Sequence, residues 1–203
     1  YSDIGRLEYA VSFFRRAAAI YADRQVRDLA NEGRARTNAG SDLARLGRLH
    51  EARTELMRAV ECKQCFGHTA YPWLTFDALY NLECSEGNTR AAAQARRKAI
   101  EGYLAYRRGG GENPSGSSTD QFCNAVAQTT AGGKLSEMDS LATQLIELRQ
   151  APELPAYIKP VLAALTAILA GSRDPALADD PDLDYDDAAE LLLLLERLAP
   201  HEA

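Results

Sequence analysis

Apolar residues recur at helical spacing through most of this chain. Between Arg27 and Leu46 the stripe runs Leu29, Ala30, Ala35, Ala39, Leu43 and Leu46, and between Tyr71 and Glu86 it runs Trp73, Phe76, Leu79, Tyr80 and Leu82. Pro72 suits the first turn of the second of these helices, where its missing N–H breaks no hydrogen bond. Each stripe is followed by a glycine and then by a second predicted helix, so the first hundred residues read as helix hairpins.

The hairpins share a phrase. Gly5-Arg6-Leu7-Glu8-Tyr9-Ala10, Gly47-Arg48-Leu49-His50-Glu51-Ala52 and Gly87-Asn88-Thr89-Arg90-Ala91-Ala92 align at offsets of 42 and 40 residues, and each leads at the same distance to Arg16-Ala17, Arg58-Ala59 or Lys98-Ala99. A period of this size is the mark of a helical repeat array. The glycine of each copy is expected in a tight turn with positive φ, and the two alanines, seven residues apart, on one face of the helix that follows. Between the alanines fall Phe13 and Phe14, Leu56 and Met57, and finally Ala95 and Arg96, so the third copy is apolar over less of its length.

The stretch Asn38-Ala39-Gly40, Leu43-Ala44, Gly47-Arg48-Leu49 and Glu51-Ala52 resembles the tetratricopeptide repeat, in which a small residue of the first helix faces an alanine of the second. The resemblance covers residues 1 to about 108 and implies an all-α fold of antiparallel helix pairs stacked as an α-solenoid. The period of about 40 is similar to that of the family's longer-helix variants. Tyr80 stands where the second copy has Gly40, which predicts a wider or tilted third pair. Glu61 to Trp73, Ala99 to Arg108 and the tail from Asp174 to Leu198 look like the C-terminal end of large bacterial tetratricopeptide proteins of signalling or defence. The chain opens inside a repeat without an initiator methionine, so it is expected to be a fragment in which the faces of Phe13 and Phe14 are partly uncovered.

Beyond the repeats, Gly109 to Ser118 is too rich in glycine and serine to hold a helix and predicts a linker or long loop. It lacks the Gly-Lys-Ser/Thr ending of a phosphate loop. Residues 119–203 are expected to form a C-terminal helical capping segment. Asp120 is the expected cap of its first helix, with Phe122 and Val126 on one face and Gly132-Gly133 at its end. Ser136 is expected to cap a second, which buries Leu141, Leu145 and Leu148 before Pro152. A third is predicted to start at Pro160 and stop at Gly171. A fourth starts near Asp184, with Asp186 and Asp187 at the positive end of its dipole and Leu191 to Leu195 making it apolar all round. That helix either seals the array or binds a partner, beneath a solvated acidic loop from Asp174 to Asp187.

Charge is uneven. Residues 1–109 balance at +5 and residues 110–203 at −11 within a net charge of −6. The acidic half argues against nucleic acid, and the arginines of the basic half alternate with acids as on a solvated face. Opposite charge makes it reasonable for the acidic half to fold back over the repeats. No apolar run suits a membrane span, and four irregularly placed cysteines, Cys62, Cys65, Cys84 and Cys123, suit a reducing cytoplasm.

Candidate chemistry is sparse. Cys62, Cys65 and His68 have ligand-like spacing, but tetrahedral zinc needs a fourth closing ligand, which only Cys84 from another helix could supply. No cofactor or catalytic residue is assigned; a metal or thiol enzyme built on this segment remains an alternative. In a repeat array the first helices line the concave wall. Opposite the packed Ala39, Gly40 and Leu43 lie Arg34, Thr37, Asn38, Ser41 and Arg45, matched in the next repeat by Leu74, Asp77, Asn81 and Cys84. Asparagines there can bond the backbone of an extended peptide, and Arg34 and Arg45 a carboxylate. The expected function is a non-catalytic scaffold that binds a protein or peptide; the alternatives are ordinary surface and a regulatory arm docked on another domain of the same polypeptide.

Overall fold

The computed structural model describes residues 2–113 and 118–199. Among them every regular element is helical, and they divide into two compact units, residues 1–106 and 107–203. The residues of the connector from Pro114 to Ser117 lie outside the described part.

The first unit contains α1 (Ser2–Ala22), α2 (Leu29–Arg45), α3 (Leu49–Lys63), α4 (Pro72–Ser85) and most of α5 (Thr89–Arg108), with a 3₁₀ segment, Gln64–Ala70, between α3 and α4. Asp28 starts α2 by accepting the Asn31 N–H at 3.0 Å. Gly47 and Gly87 both take φ +74° in the turns after α2 and α4, as the repeated phrase predicts. Gly5 does not. It lies inside α1, where the residues ahead of it already follow the helical path.

Close approach of α2 and α3 is set by glycine. A Cβ on Gly40 would stand 2.6 Å from Leu56 Cγ and 3.2 Å from the Ala52 carbonyl, and one on Gly33 would stand 2.9 Å from Lys63 Cγ. These paired positions run in opposite directions, so the two helices are antiparallel. Ala52, Ala59, Ala92 and Ala99 are buried as expected, but in α1 the buried pair is Val11 and Ala18 while Ala10 and Ala17 are half-covered. The shift has a simple origin: α1 packs on α2, the helix after it, and no described helix covers its other flank. Tyr9, Phe13 and Ile20 of that flank are exposed.

Val11, Leu43, Leu56, Leu79 and Leu82 form one cluster through α1 to α4. Burial of each such side chain contributes roughly 1.5–3 kcal/mol. Around it runs a ladder of ion pairs. Arg15 of α1 bonds Glu51 at 3.0 Å and Glu55 at 2.8 Å, and Arg36 of α2 bonds Glu55 and the buried Glu32, each at 2.8 Å. Burial alone would raise the Glu32 carboxyl, but bonds from Arg36 and the Cys62 thiol and the charges of Arg36 and Arg58 hold it low. Glu51 is drawn down to about 2 by its bonds to Arg48 and Arg15.

The second unit starts with the last two residues of α5 and holds α6 (Ser118–Gly132), α7 (Leu135–Gln150), α8 (Ile158–Leu169) and α9 (Tyr185–Leu198). Gly133 (φ +65°) and Gly171 (φ +101°) mark the ends of α6 and α8. Helix starts depart from sequence expectation. Asp120 and Ser136 are not caps but lie inside the first turns of α6 and α7, Lys134 being the residue that precedes α7. α8 begins two residues before Pro160, which is tolerated because the first turn has no N–H bonds to lose. α9 does begin after Asp184.

Leu191, Leu194 and Leu195 of α9 are buried, with Leu192 and Leu193 half-covered. The acidic loop is less solvated than its composition suggests: Pro175–Ala178 forms a 3₁₀ turn that buries Ala178, and Leu183 and Asp187 are buried as well. Asp187 shares a carboxylate cluster with Asp184 and Asp186, and its side chain is held by Thr119 of α6. Burial, then repulsion from Asp186 and Asp184, push it up to about 6. Because the folded value exceeds the unfolded one, the penalty is complete above pH 6 and fades toward pH 4. Asp187→Asn, which keeps an acceptor for Thr119, is therefore expected to stabilise the second unit by about 2 kcal/mol at pH 7. The gain should vanish at pH 4, measured by urea unfolding at both pH values; an equal gain at pH 4 would show that ionisation is not the cause.

Candidate functional site

α2 and α4 lie side by side, joined where the Thr37 and Thr75 hydroxyls meet at 2.7 Å. Two stripes at helical spacing flank this seam. On α2, Arg34, Asn38 and Arg45 are exposed and Ser41 is half-buried; on α4, Leu74 and Asn81 are exposed and Asp77 is half-buried. Seven of the eight expected site residues thus reach the surface of one face, and Cys84 is exposed there too.

Thr37 is the correction. It is 7% exposed and donates to the Gly33 carbonyl or shares its hydroxyl with Thr75. A helix with one buried side would expose it, whereas α1, α3 and α4 all pack on α2. The remaining polar groups are lightly engaged. Arg34 donates to Asn31 at 2.6 Å, Arg45 to Asp42 at 3.3 Å, Ser41 to the Thr37 carbonyl at 3.0 Å, and Asn81 to Asp77 at 3.4 Å.

Beneath the seam lies a residue that periodicity did not single out. Lys63, at the end of α3, is 3% exposed; its Nζ donates to Thr75 Oγ1 at 2.9 Å and to the Tyr71 carbonyl at 3.4 Å. No described carboxylate pairs with it. Burial and the charge of Arg34 lower it to about 8, against a small opposing effect of Cys62. Beside it, Tyr71 holds a left-handed φ of +51° while its ring packs edge-on against Trp73 at 5.1 Å. Tyr103 and Tyr106 of α5 complete this aromatic cluster at 5.7 and 4.8 Å from the Trp73 ring.

The Cys62, Cys65 and His68 segment is not gathered as a ligand set. Cys62 is buried and bonded to Glu32, with burial and then Glu32 pushing its thiol up to about 11, whereas Cys65 and His68 are exposed on the 3₁₀ segment. The only three His, Cys, Asp or Glu donors that converge among the described residues are Asp184, Asp186 and Asp187. All four cysteines are free. Among the described residues no helix is long and apolar enough to cross a membrane.

Comparison with family models, with curated proteins and with solved structures returns no match to this chain.

Proposed function

We propose that the first unit is a tetratricopeptide-like stack of hairpins whose α2 and α4 face binds an extended segment of a partner protein. The observation that carries this reading is the Thr37–Thr75 seam. It sets two helices of successive repeats edge to edge, with Arg34, Asn38, Ser41 and Arg45 on one side and Leu74, Asp77 and Asn81 on the other. The close Gly40 and Ala52 approach supports the family reading, since small residues at those places let a hairpin close. Asn38 and Asn81 offer both a donor and an acceptor to a peptide backbone, Leu74 an apolar contact, and Arg34 and Arg45 a charge for a carboxylate. Four free cysteines suit a reducing cytoplasm.

A display library of extended peptides, selected against the whole chain, tests this. Selected peptides are expected to bind Asn38→Ala and Asn81→Ala at least tenfold more weakly, about 1.4 kcal/mol or more, with thermal unfolding unchanged. Peptides that bind both variants as well as the parent would place recognition elsewhere. The exposed Tyr9, Phe13 and Ile20 of α1 favour a second reading, an arm that docks through this flank on another domain. Polar substitution of Phe13 would then abolish docking and leave peptide binding intact.

A further inference from the structure

α1 is apolar on two opposite sides. Val11 and Ala18 are buried on the side that packs on α2, whereas Tyr9, Phe13 and Ile20, about half a helical turn round from them, are 75%, 58% and 62% exposed. A helix with two apolar faces calls for a neighbour on each. The second face forms one continuous seam. Arg6, Tyr9, Phe13, Arg16, Ile20 and Asp23 follow one another at intervals of three, four, three, four and three residues, the a and d rhythm of a coiled coil, and all six are exposed. The first five lie in α1 and Asp23 comes one residue after its end. The Phe13 ring stands edge-on to that of the half-buried Phe14 at 5.7 Å, so its place is set before anything docks.

We propose that a second copy of this chain covers the seam, the two α1 helices lying antiparallel about a two-fold axis that passes between Phe14 and Arg15. The order of the six residues carries this assignment. In that register Arg6 meets the partner's Asp23, Tyr9 the partner's Ile20 and Phe13 the partner's Arg16, and the two-fold axis makes each meeting twice. Every layer is complementary: an ion pair at each end, an aromatic ring on an aliphatic chain next to it, and a guanidinium over a ring at the centre. A parallel pair would set Arg6, Arg16 and Asp23 each against its own like, so half of the layers would repel. None of the six belongs to the α2 and α4 face, and self-association and peptide binding therefore stand or fall separately.

The surface available sets the strength. Three large side chains exposed to this degree leave on the order of 400 Å² uncovered on each copy. With the arginine stems laid along them, two copies cover roughly 1,000 Å² together. That is the small end of specific interfaces and corresponds to a reversible dimer of micromolar affinity.

Sedimentation equilibrium of the full chain under reducing conditions, from about 1 to 200 µM, tests this. The mass is expected to rise from 22.2 kDa at the lowest concentration to twice that at the highest, with a dissociation constant on the order of 10 µM. Phe13→Asp should weaken the dimer at least tenfold. Arg6→Asp and Asp23→Arg should each weaken it about threefold or more, and the chain carrying both exchanges should recover, because each end layer is then an ion pair again with its signs reversed. All of these positions are exposed, and circular dichroism melts at the lowest concentration, where every chain is monomeric, should coincide with the parent. A chain that stays monomeric at the highest concentration, assembly beyond two copies, or a Phe13→Asp chain that pairs as the parent does would each overturn the proposal. So would single exchanges that weaken pairing without recovery in the double, since a parallel pair or a different register would behave in that way.

Discussion

Leucine at position 40 is expected to separate α2 from α3 and to unfold the first unit at moderate temperature. A Cβ at Gly40 already falls 2.6 and 2.8 Å from two carbons of Leu56 and 3.2 Å from the Ala52 carbonyl. Leu56 is fully buried, so it has no solvent-facing rotamer to move into, and the backbone of α3 cannot yield without disturbing the ion pairs that Glu51 and Glu55 make with Arg15 and Arg36. Overpacking of this kind costs about 3 kcal/mol or more when backbone must shift. For a unit of this size that is a drop in the unfolding midpoint on the order of 10 °C or more. Gly102→Ala is the matched control. Its Cβ would meet Trp73 and Pro72 at 3.5–3.7 Å, ordinary contact, and alanine is the better helix former, so a gain of about 0.5–1 kcal/mol is expected. Circular dichroism melts of both variants check the pair. A Gly40→Leu chain that melts with the parent would mean that α2 and α3 do not approach as described.

The same helices show what a sequence reveals and where it stops. The hairpin turns at Gly47 and Gly87 and the buried Ala52, Ala59, Ala92 and Ala99 follow from a repeated phrase, because turn geometry and close packing each demand a particular small residue at a fixed place. The stripes of Arg34, Asn38 and Arg45 and of Leu74 and Asn81 follow from helical periodicity. Periodicity fails at Thr37, since a wheel assigns each helix one buried side and α2 has neighbours on three. At α6 and α7 the helix starts escape a sequence reading because Asp120 and Ser136 are good caps in isolation, yet Asp120 instead serves Arg107. The long-range bonds of that unit could not be read at all. Arg107 meets a residue 83 positions away and Asn124 one 73 positions away, and no local pattern encodes such meetings.

Lys63 is the other residue hidden from pattern, and replacing it should strengthen the protein. Lys63→Met is expected to stabilise the first unit by about 2 kcal/mol at neutral pH, since a buried charge without a carboxylate is costlier than an apolar chain of similar length. The replacement leaves no orphan. Thr75 keeps the Thr37 hydroxyl as its partner, and the Tyr71 carbonyl keeps the Leu74 N–H at 3.3 Å. The sign with pH follows from linkage. Lys63 sits at about 8 when folded, below its unfolded value, so between pH 8 and 10.5 the unfolded chain holds the extra proton and stability rises with pH. The penalty is complete below pH 8 and gone above 10.5, so the advantage of methionine must shrink across that window. Urea unfolding of both chains at pH 7 and near pH 10 measures the difference, which cancels the titration of cysteines and tyrosines common to both. If Lys63→Met is less stable than the parent at pH 7, the ammonium is satisfied by its two neutral acceptors. The seam between α2 and α4 would then be held by that charge rather than formed in spite of it.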